Sequence, residues 1–384
     1  MELNFDKLFK YTLMAMKING SHPSIEKNKK WLLLTLLTNI TNYLIFILFI
    51  YNIICHDMKN NDFSKICQNG CLIVVYEVIT YQYWIIIWKG NILKELFKTM
   101  KKDYEEAQQL TADEQKAILS YALQGAYVGK QWIVQPTCTV TAFFMKSIVL
   151  TAYYYIINQF QMVHFYDVKY PTFLEERKDY LPIYLTLYSL FLFFAIYTGL
   201  VFISTVPWGP IFMLHACGKL DVLSARLDKL FVGRKDVVAE LRSIVVKLQE
   251  IKSFINKIED CVRLTYQITF TGASIVLPIT VYEVIEAFSV GEISLEFMSF
   301  ITGSVLIISS PCYYSEILLA KGEQFRVAVY SCGWEHTYDP RVRKLLSLLL
   351  QQASQPVAIR TMFKTVCLDT LTEFYMLYHS LNSI

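Results

Sequence analysis

The last apolar segment of the chain, VAIRTMFKTVCLDTLTEFYMLYHSL, contains polar residues whose spacing could support ion chemistry. Asp369 and Glu373 lie four residues apart, and Thr365, Met376 and Ser380 continue the steps of three and four residues. On a helix this spacing places all five side chains on one stripe. Because an ionised carboxylate facing lipid costs about 2.5–3.5 kcal/mol or more, the stripe is predicted to face water or protein.

Two interpretations of this stripe remain open from the residues alone. In the first, the segment lines a pore, and its carboxylates favour cations. In the second, the helix is buried in a bundle, and Asp369 and Glu373 are paired with neighbours such as Arg360 or Lys364.

A second set of residues has the composition of a small-molecule site. Aromatic side chains and a few hydroxyl groups occur in the outer halves of the second, third, fourth and sixth apolar segments. Ligand sites are mostly apolar with a small number of polar groups, although aromatic residues also simply pack helices together. The candidate ligand-binding residues are Tyr76, Phe144, Ser147, Thr151, Tyr184, Tyr188, Phe191, Phe300 and Ser304.

Signals for catalysis, metals and nucleic acid are weak. The six histidines are dispersed, and HExxH, P-loop and GxSxG motifs are missing. The nine cysteines are scattered without a CxxC pair, which argues against a disulfide framework and a zinc site; Cys55, Cys67 and Cys71 share one region and could pair. The chain is therefore predicted to be no enzyme and to hold no metal or cofactor. Its net charge of only +3 further predicts that it binds no nucleic acid.

Composition places the chain in a lipid bilayer. Hydrophobic residues make up 54% and charged residues only 18%, against about 25% charged in soluble domains. Without a secretory signal peptide, insertion is expected to depend on the first span. Seven segments approach the roughly 20 apolar residues that cross a bilayer, which predicts an all-α polytopic membrane protein. They are 31–55, 66–88, 131–158, 181–206, 264–289, 297–320 and 357–381.

The distribution of Lys and Arg predicts the orientation of these spans. Alternate connecting segments carry many basic residues: six in 1–30, seven in 89–130, ten in 207–263 and five in 321–344. The remaining connections carry at most three. Positive residues favour the cytosolic side, so the N-terminus is predicted to be cytosolic and the C-terminus extracellular, opposite to a G-protein-coupled receptor. The glycosylation triplet at Asn19 is therefore expected to be unmodified.

The basic connecting segments have the periodicity of amphipathic helices. Leucines and isoleucines recur at steps of three and four through 207–263, with charges on the other faces. Asp339 and Pro340 form an N-cap and first helical position ahead of a stripe that includes Leu345, Leu346 and Leu349. Such stripes need a partner, within the subunit or in another one. The predicted divisions are a cytosolic 1–30, spans one to four in 31–206, anchor helices in 207–263, spans five and six in 264–320, an anchor extension in 321–356 and span seven in 357–384.

Four stretches of the chain resemble insect odorant receptors. They are HACGKLDVLSARLDKL at 215–230, AVYSCGW at 328–334, RKLLSLLLQQASQP at 343–356 and CLDTLTEFYMLYHSL at 367–381. The resemblance implies an odorant-gated, nonselective cation channel: a tetramer of a tuning subunit with the shared odorant co-receptor. It further implies a small volatile ligand bound among spans two, three, four and six, and a place in the plasma membrane of olfactory neuron dendrites.

The resemblance also implies roles for individual residues. Met376 falls where the family has an apolar gate residue, with Ser380 one turn outward and Leu377 and Leu381 beside them. The co-receptor has an apolar residue in place of Ser380, and a hydroxyl makes a poorer dewetting gate, so this chain resembles the tuning subunit. Subunit contacts lie in the family's cytosolic anchor layer, which assigns the stripe of Leu345, Leu346 and Leu349 to an interface.

Three alternatives rank below this interpretation. Gustatory-receptor-like channels share the fold, but their C-terminal pattern usually differs from the one in this chain. A G-protein-coupled receptor conflicts with the predicted orientation. A transporter would more often show inverted repeats and broken helices, and the sequence contains no internal repeat.

Overall fold

The computed structural model describes residues 3–159, 161–231, 236–373 and 376. Within these ranges the only β feature is one isolated bridge between Arg360 and Thr365. The α-helices, numbered in chain order, are α1 (Phe5–Leu8), α2 (Lys10–Ile18), α3 (Lys29–Asn52), α4 (Phe63–Trp88), α5 (Gly90–Ala107), α6 (Ala112–Ile156), α7 (Thr172–Glu175), α8 (Leu181–Thr205), α9 (Trp208–Asp228), α10 (Val237–Ser289), α11 (Leu295–Tyr330) and α12 (Pro340–Ala353).

Six helical segments in the described part are long and apolar enough to cross a membrane, and they contain α3, α4, α6, α8, α10 and α11. The all-α prediction is thereby confirmed. Three of these helices are much longer than a bilayer requires, with 45 residues in α6, 53 in α10 and 36 in α11. At 1.5 Å per residue, α10 is about 80 Å long, so it spans the membrane and continues well beyond it.

Helix α3 shows how the spanning part is packed. Its lipid-facing side exposes Leu33 and Leu34, whereas Thr35, Asn39 and Asn42 are buried against the other helices. This reverses the usual arrangement of a water-soluble helix, because the hydrocarbon core accepts apolar side chains and the protein interior shelters the polar ones.

The long helices extend into a second layer, here called the helical base. It consists of α1, α2, α5, α9 and α12 with the first parts of α6 and α10 and the last part of α11, and it contains the largest buried apolar cluster. Helix α9 lies in its interior, with an unbroken buried run from Trp208 to Gly218. The Trp208 ring lies 4.4 Å from the Phe97 ring, between centroids. Helices are therefore present where they are predicted in 207–263, but the first part of α9 is buried on all sides and is not amphipathic. Helix α10 is continuous with span five.

Three largely buried polar contacts, made to two carboxylates, join α9 to its neighbours in the base. His215 Nε2 lies 2.8 Å and Lys219 Nζ 2.7 Å from Asp103 Oδ2 on α5, and Arg226 Nε donates to Glu114 Oε1 on α6 at 2.6 Å. Burial alone would raise the pKa of the Asp103 carboxyl, but the hydrogen bonds and charge supplied by His215 and Lys219 hold that pKa below its ordinary value. The residues that carry the family likeness in α9 thus serve as ties between helices.

The start of the predicted seventh span differs from the sequence expectation. Residues 357–367 are not helical; Val366 N donates to Ile359 O at 2.8 Å, and Thr361 N donates to Lys364 O at 2.8 Å, which closes a tight hairpin. The buried side chains of Ile359 and Val366 hold this hairpin in the helical base. Helical geometry resumes at 368. An extended hairpin forms here in place of the predicted helix because alternating β-branched residues bury one face of an extended segment.

The predicted glycosylation triplet forms a buried turn. Asn19 Nδ2 donates to Ser204 Oγ on α8 at 2.7 Å, and Asn19 Oδ1 accepts from Ser21 N and Ser21 Oγ. Because the amide nitrogen that would carry a glycan is engaged and buried, Asn19 of the folded chain has no room for one.

Candidate functional site

An apolar cavity of about 120 Å³ lies in the spanning part, between α4, α6, α8, α10 and α11. Tyr166 reaches it from the connection between α6 and α8, and its ring packs on Phe143 at 4.9 Å between centroids. No charged side chain is among the described residues that line this cavity. A cavity of this kind is suited to a neutral, largely apolar molecule.

Glycine and proline occur at the cavity wall on four of the spans. Pro136 of α6, Gly199 of α8, Gly272 of α10 and Gly303 of α11 all line it. At Gly303 the close approach is specific, because a Cβ atom there would collide with the side-chain amide of Gln135. This coincidence of Gly and Pro at mid-span depth is the sequence signal that could have located the cavity.

Some of the polar groups that line the cavity already form hydrogen bonds within the protein, and others do not. Thr139 donates to Gln135 O at 3.2 Å, Thr198 to Ala195 O at 2.9 Å and Thr269 to Thr265 O at 2.7 Å. These three hydroxyl protons are therefore engaged by backbone carbonyls. Gln135 and Ser304 also line the cavity, and their bonding is considered below.

Three of the residues predicted for ligand binding line the cavity: Tyr76, Phe300 and Ser304. The prediction did not include Gln135, nor did it include any residue of α10, which supplies one wall. A Gln at one position of an apolar helix does not by itself indicate a ligand site, and span five is not among the spans predicted to hold one.

The other six predicted residues lie in an aromatic cluster outside the lining. Several of them hold the connection between α6 and α8: Thr151 Oγ1 accepts from Val163 N at 3.1 Å, and Tyr184 OH donates to Val163 O at 3.0 Å. Ser147 Oγ and Tyr188 OH share a hydrogen bond of 2.8 Å. The six residues are Phe144, Ser147, Thr151, Tyr184, Tyr188 and Phe191, and their role in binding stays a prediction.

A buried polar chain connects the cavity to the helical base. Gln82 Nε2 donates to Thr269 Oγ1 at 2.8 Å, and Thr205 Oγ1 donates to Gln82 Oε1 at 3.2 Å. Thr269 lines the cavity, whereas Thr205 is the last residue of α8, next to α9. Two hydrogen bonds therefore link the cavity wall at Thr269 to the junction of the two layers.

An ion pair lies at the end of the cavity that faces away from the helical base. Lys146 of α6 contacts Glu296 at the start of α11, and the Glu296 side chain is only 2% exposed. The pair joins the two helices that carry Phe143 and Phe300, whose rings pack at 6.0 Å between centroids. A buried carboxylate of this kind depends on its partner, so the contact fixes the spacing of α6 and α11.

The predicted pore stripe is only partly within the described residues. Asp369, Glu373 and Met376 lie on the surface of the chain, with Met376 63% exposed. Glu373 is paired with Lys364 of the hairpin, a pairing that the buried-helix alternative predicted, although both side chains remain about half exposed. The other predicted pore residues, Leu377, Ser380 and Leu381, lie outside the described part of the chain.

The predicted interface stripe on α12 packs mostly inside its own chain. Leu349 is completely buried and Leu346 is 5% exposed, both in the core of the helical base. Of the predicted stripe, only Leu345 is partly accessible to another subunit, and Leu348 beside it is exposed. The cause is that α10 and α11 already supply the apolar partner that the stripe requires.

The described residues contain no group of three or more His, Cys, Asp or Glu side chains that could hold a metal ion. All nine cysteines are free.

This chain is similar to known proteins in both sequence and structure. A sequence model described as 7tm Odorant receptor matches residues 62–376. Among solved structures, the insect olfactory receptor OR5 from Machilis hrabei superposes with a TM-score of 0.78 at 14% identity, covering 98% of this chain and 96% of that one. The same receptor in complex with eugenol gives a TM-score of 0.79 at 13% identity, covering 97% and 96%. No curated protein matches by sequence. At these identities the structural likeness shows the fold.

Proposed function

Because this chain belongs to the 7tm odorant receptor family, we propose that it is a subunit of an odorant-gated, nonselective cation channel. The observation that carries the proposal is the uncharged, largely apolar cavity between α4, α6, α8, α10 and α11. A volatile odorant is small, uncharged and mostly apolar, which is the chemistry this cavity accepts. The receptor of the same fold in complex with eugenol is consistent with such a ligand.

Gating requires that the odorant bind the open state more tightly than the closed state. Two walls of the cavity, α10 and α11, continue without interruption into the helical base. Helix α12 packs against both of them there and leads through the hairpin to the seventh span. We infer that odorant binding shifts α10 and α11 and that this shift moves the seventh span away from the pore axis.

The pore is proposed to run along the outer part of the seventh span. Asp369 and Glu373 would attract cations, and Met376 would form the apolar constriction. Their exposure on the isolated chain supports this assignment, because a pore-lining face is left uncovered by its own subunit. Leu377, Ser380 and Leu381 complete the proposed constriction.

Assembly with the odorant co-receptor into a tetramer is proposed to occur through the helical base and the hairpin. The hairpin exposes Met362 and Phe363, the latter 81% exposed, and α12 exposes Leu348. Exposed apolar side chains on this layer are the surface that a partner subunit would cover. The assembly would lie in the plasma membrane of olfactory neuron dendrites, with the N-terminus in the cytosol.

Current recording from cells that express this chain with the co-receptor tests the proposal. Odorants should evoke a cation current, and Ser304→Phe, which fills the cavity, should abolish it while surface expression persists. Cys138→Phe on the lipid-exposed side of α6 is the matched control and should leave the response intact. A pair that reaches the surface and gives no current with any odorant would contradict the channel assignment.

A further inference from the structure

We propose that Gln135 and Ser304 form the hydrogen-bonding end of the cavity and that they select alcohols and phenols among the neutral ligands. The proposal rests on the proposed function in so far as the cavity is taken as the odorant site. Gln135 lies on α6 and Ser304 on α11, and both line the cavity.

The Ser304 hydroxyl and the side-chain carbonyl of Gln135 are free to form hydrogen bonds with a ligand. The Thr139, Thr198 and Thr269 hydroxyls donate to backbone carbonyls. In the described part of the chain, the structure gives no hydrogen-bond partner to the Ser304 hydroxyl, although other hydroxyl side chains of α11, such as those of Thr302 and Ser309, bond the carbonyl four residues before.

The orientation of the Gln135 amide follows from its neighbours. Its Nε2 faces the Ser299 carbonyl oxygen at 3.4 Å and Thr139 Oγ1 at 3.3 Å. A backbone carbonyl only accepts hydrogen bonds, so the amide nitrogen must point towards Ser299 and the oxygen must point elsewhere. The amide nitrogen is also the side-chain atom closest to Gly303. Gln135 Oε1 is thus left as an acceptor, and none of the described residues donates to it.

An acceptor in an apolar cavity favours ligands that bring a donor. An alcohol or phenol donates its proton to Gln135 Oε1 and accepts from the Ser304 hydroxyl through its oxygen. An ether, ester or ketone can satisfy only Ser304, and a hydrocarbon satisfies neither group. Carboxylic acids and amines in their charged forms are disfavoured because the lining offers no opposite charge. The cavity is therefore selective for one hydroxyl on a compact apolar body.

Matched pairs of ligands test this selectivity. Eugenol and benzyl alcohol are compared with their methyl ethers, which keep the shape and remove the donor. Currents from the receptor with its co-receptor give half-maximal concentrations, and ligand-induced thermal stabilisation of the purified chain gives binding independently of any current. The unmodified chain should prefer each hydroxyl compound by about threefold to tenfold, the range expected for one neutral hydrogen bond.

Two variants remove the acceptor in different ways. Gln135→Met keeps the length of the side chain and removes the carbonyl, and Gly303→Ala keeps the carbonyl but displaces the amide by contact with the new methyl group. Each should reduce the preference for the hydroxyl compound to about one, and the double variant should do no more than either alone. Gln131→Met, at an exposed position one turn away on the same helix, is the matched control and should keep the preference.

The outcomes separate this proposal from the channel assignment. Equal affinity for alcohol and ether in the unmodified chain, or a preference retained in Gln135→Met, overturns the role of Gln135. A preference seen in thermal stabilisation without any current supports Gln135 and contradicts the channel. If neither measurement detects any ligand of either kind, the assignment of the cavity as a ligand site fails and the role of Gln135 fails with it.

Discussion

Asp103 is the single acceptor that joins α5 to two residues of α9. Its Oδ2 accepts hydrogen bonds from both His215 Nε2 and Lys219 Nζ, and its side chain is only 15% exposed. Hydrogen bonds to a charged group contribute more than neutral ones, and a buried donor left without a partner carries the full desolvation cost. The stability of the helical base should therefore be sensitive to this one carboxylate.

Asp103→Asn is expected to lower the free energy of unfolding by about 1–3 kcal/mol, because the neutral amide no longer compensates the Lys219 ammonium. Thermal or denaturant unfolding of the purified chain measures the loss. Asp6→Asn is the matched control, since Asp6 pairs with Lys101 at 2.9 Å on the surface, where an ion pair contributes about 0–1 kcal/mol. Equal effects of the two substitutions would contradict the role given to Asp103.

The same residue predicts a pH dependence. The pKa of Asp103 is lower in the folded chain than its ordinary value, so the ionised form stabilises the fold above the ordinary carboxyl pKa. This contribution is lost as the pH falls through the depressed pKa. The stability difference between the unmodified chain and Asp103→Asn should therefore shrink below about pH 4, and a difference that grows on acidification would be inconsistent with this sign.

Among the helices, α9 and α10 meet at an unusually close contact. Gly209 packs directly on the Tyr266 ring, and a Cβ at Gly209 would collide with the Tyr266 hydroxyl. That hydroxyl is buried and has no hydrogen-bond partner among the described residues. The contact is therefore set by shape, and no hydrogen bond of the Tyr266 hydroxyl to a described residue contributes to it.

Gly209→Ala should destabilise the chain by about 1–3 kcal/mol through overpacking. Adding Tyr266→Phe should recover part of the loss, because it removes the colliding oxygen without breaking a described hydrogen bond. Gly70→Ala on α4 is the control: the space around it is open, so the change should be neutral or stabilising by up to about 1 kcal/mol. Unfolding midpoints are compared for the unmodified chain, Gly209→Ala, Tyr266→Phe, the double variant and Gly70→Ala. Additive effects of the 209 and 266 substitutions would rule out the collision.

The seventh span is the element whose role depends most on its partners. Glu373→Gln and Asp369→Asn should reduce the preference for cations over anions in reversal-potential measurements, because the proposed pore face loses charge. Glu292→Gln, in the exposed turn between α10 and α11, should leave the preference unchanged. If assembled channels with the first two substitutions keep their permeability, the carboxylates serve packing, as the contact between Lys364 and Glu373 would allow.

At the level of the whole molecule, the orientation proposed from the basic residues can be measured. A tag at the N-terminus should be detected by antibody only after cells are permeabilised, and a tag at the C-terminus should be detected on intact cells. The physical reason is the excess of Lys and Arg in the segments that form the helical base. An N-terminal tag visible on intact cells would reverse this orientation and favour the topology of a G-protein-coupled receptor.

The sequence was most informative where one property extends over many residues. Six spans follow from hydropathy, and the apolar side of α12 follows from its period. The period does not say which partner covers that side, and in the structure Leu346 and Leu349 pack in the core of their own chain. Hydropathy failed at the hairpin, because averaging over a window hides the turn between Thr361 and Lys364. The cavity is predicted only in part, through Tyr76, Phe300 and Ser304. Gln135 is missed because its significance depends on α11, which brings Gly303 against it.

The helical base also has a consequence for how the protein is made. Its core combines residues from nearly the full length of the described chain, including Phe5, Leu96, Leu223, Phe325 and Val366. These segments are separated by membrane spans, so they can meet only when every span has been inserted with the correct sidedness. A chain with one misplaced span would leave apolar surface uncovered beside the membrane, where chaperones and proteases recognise it. The core of the base is therefore completed only after the last of these segments is in place.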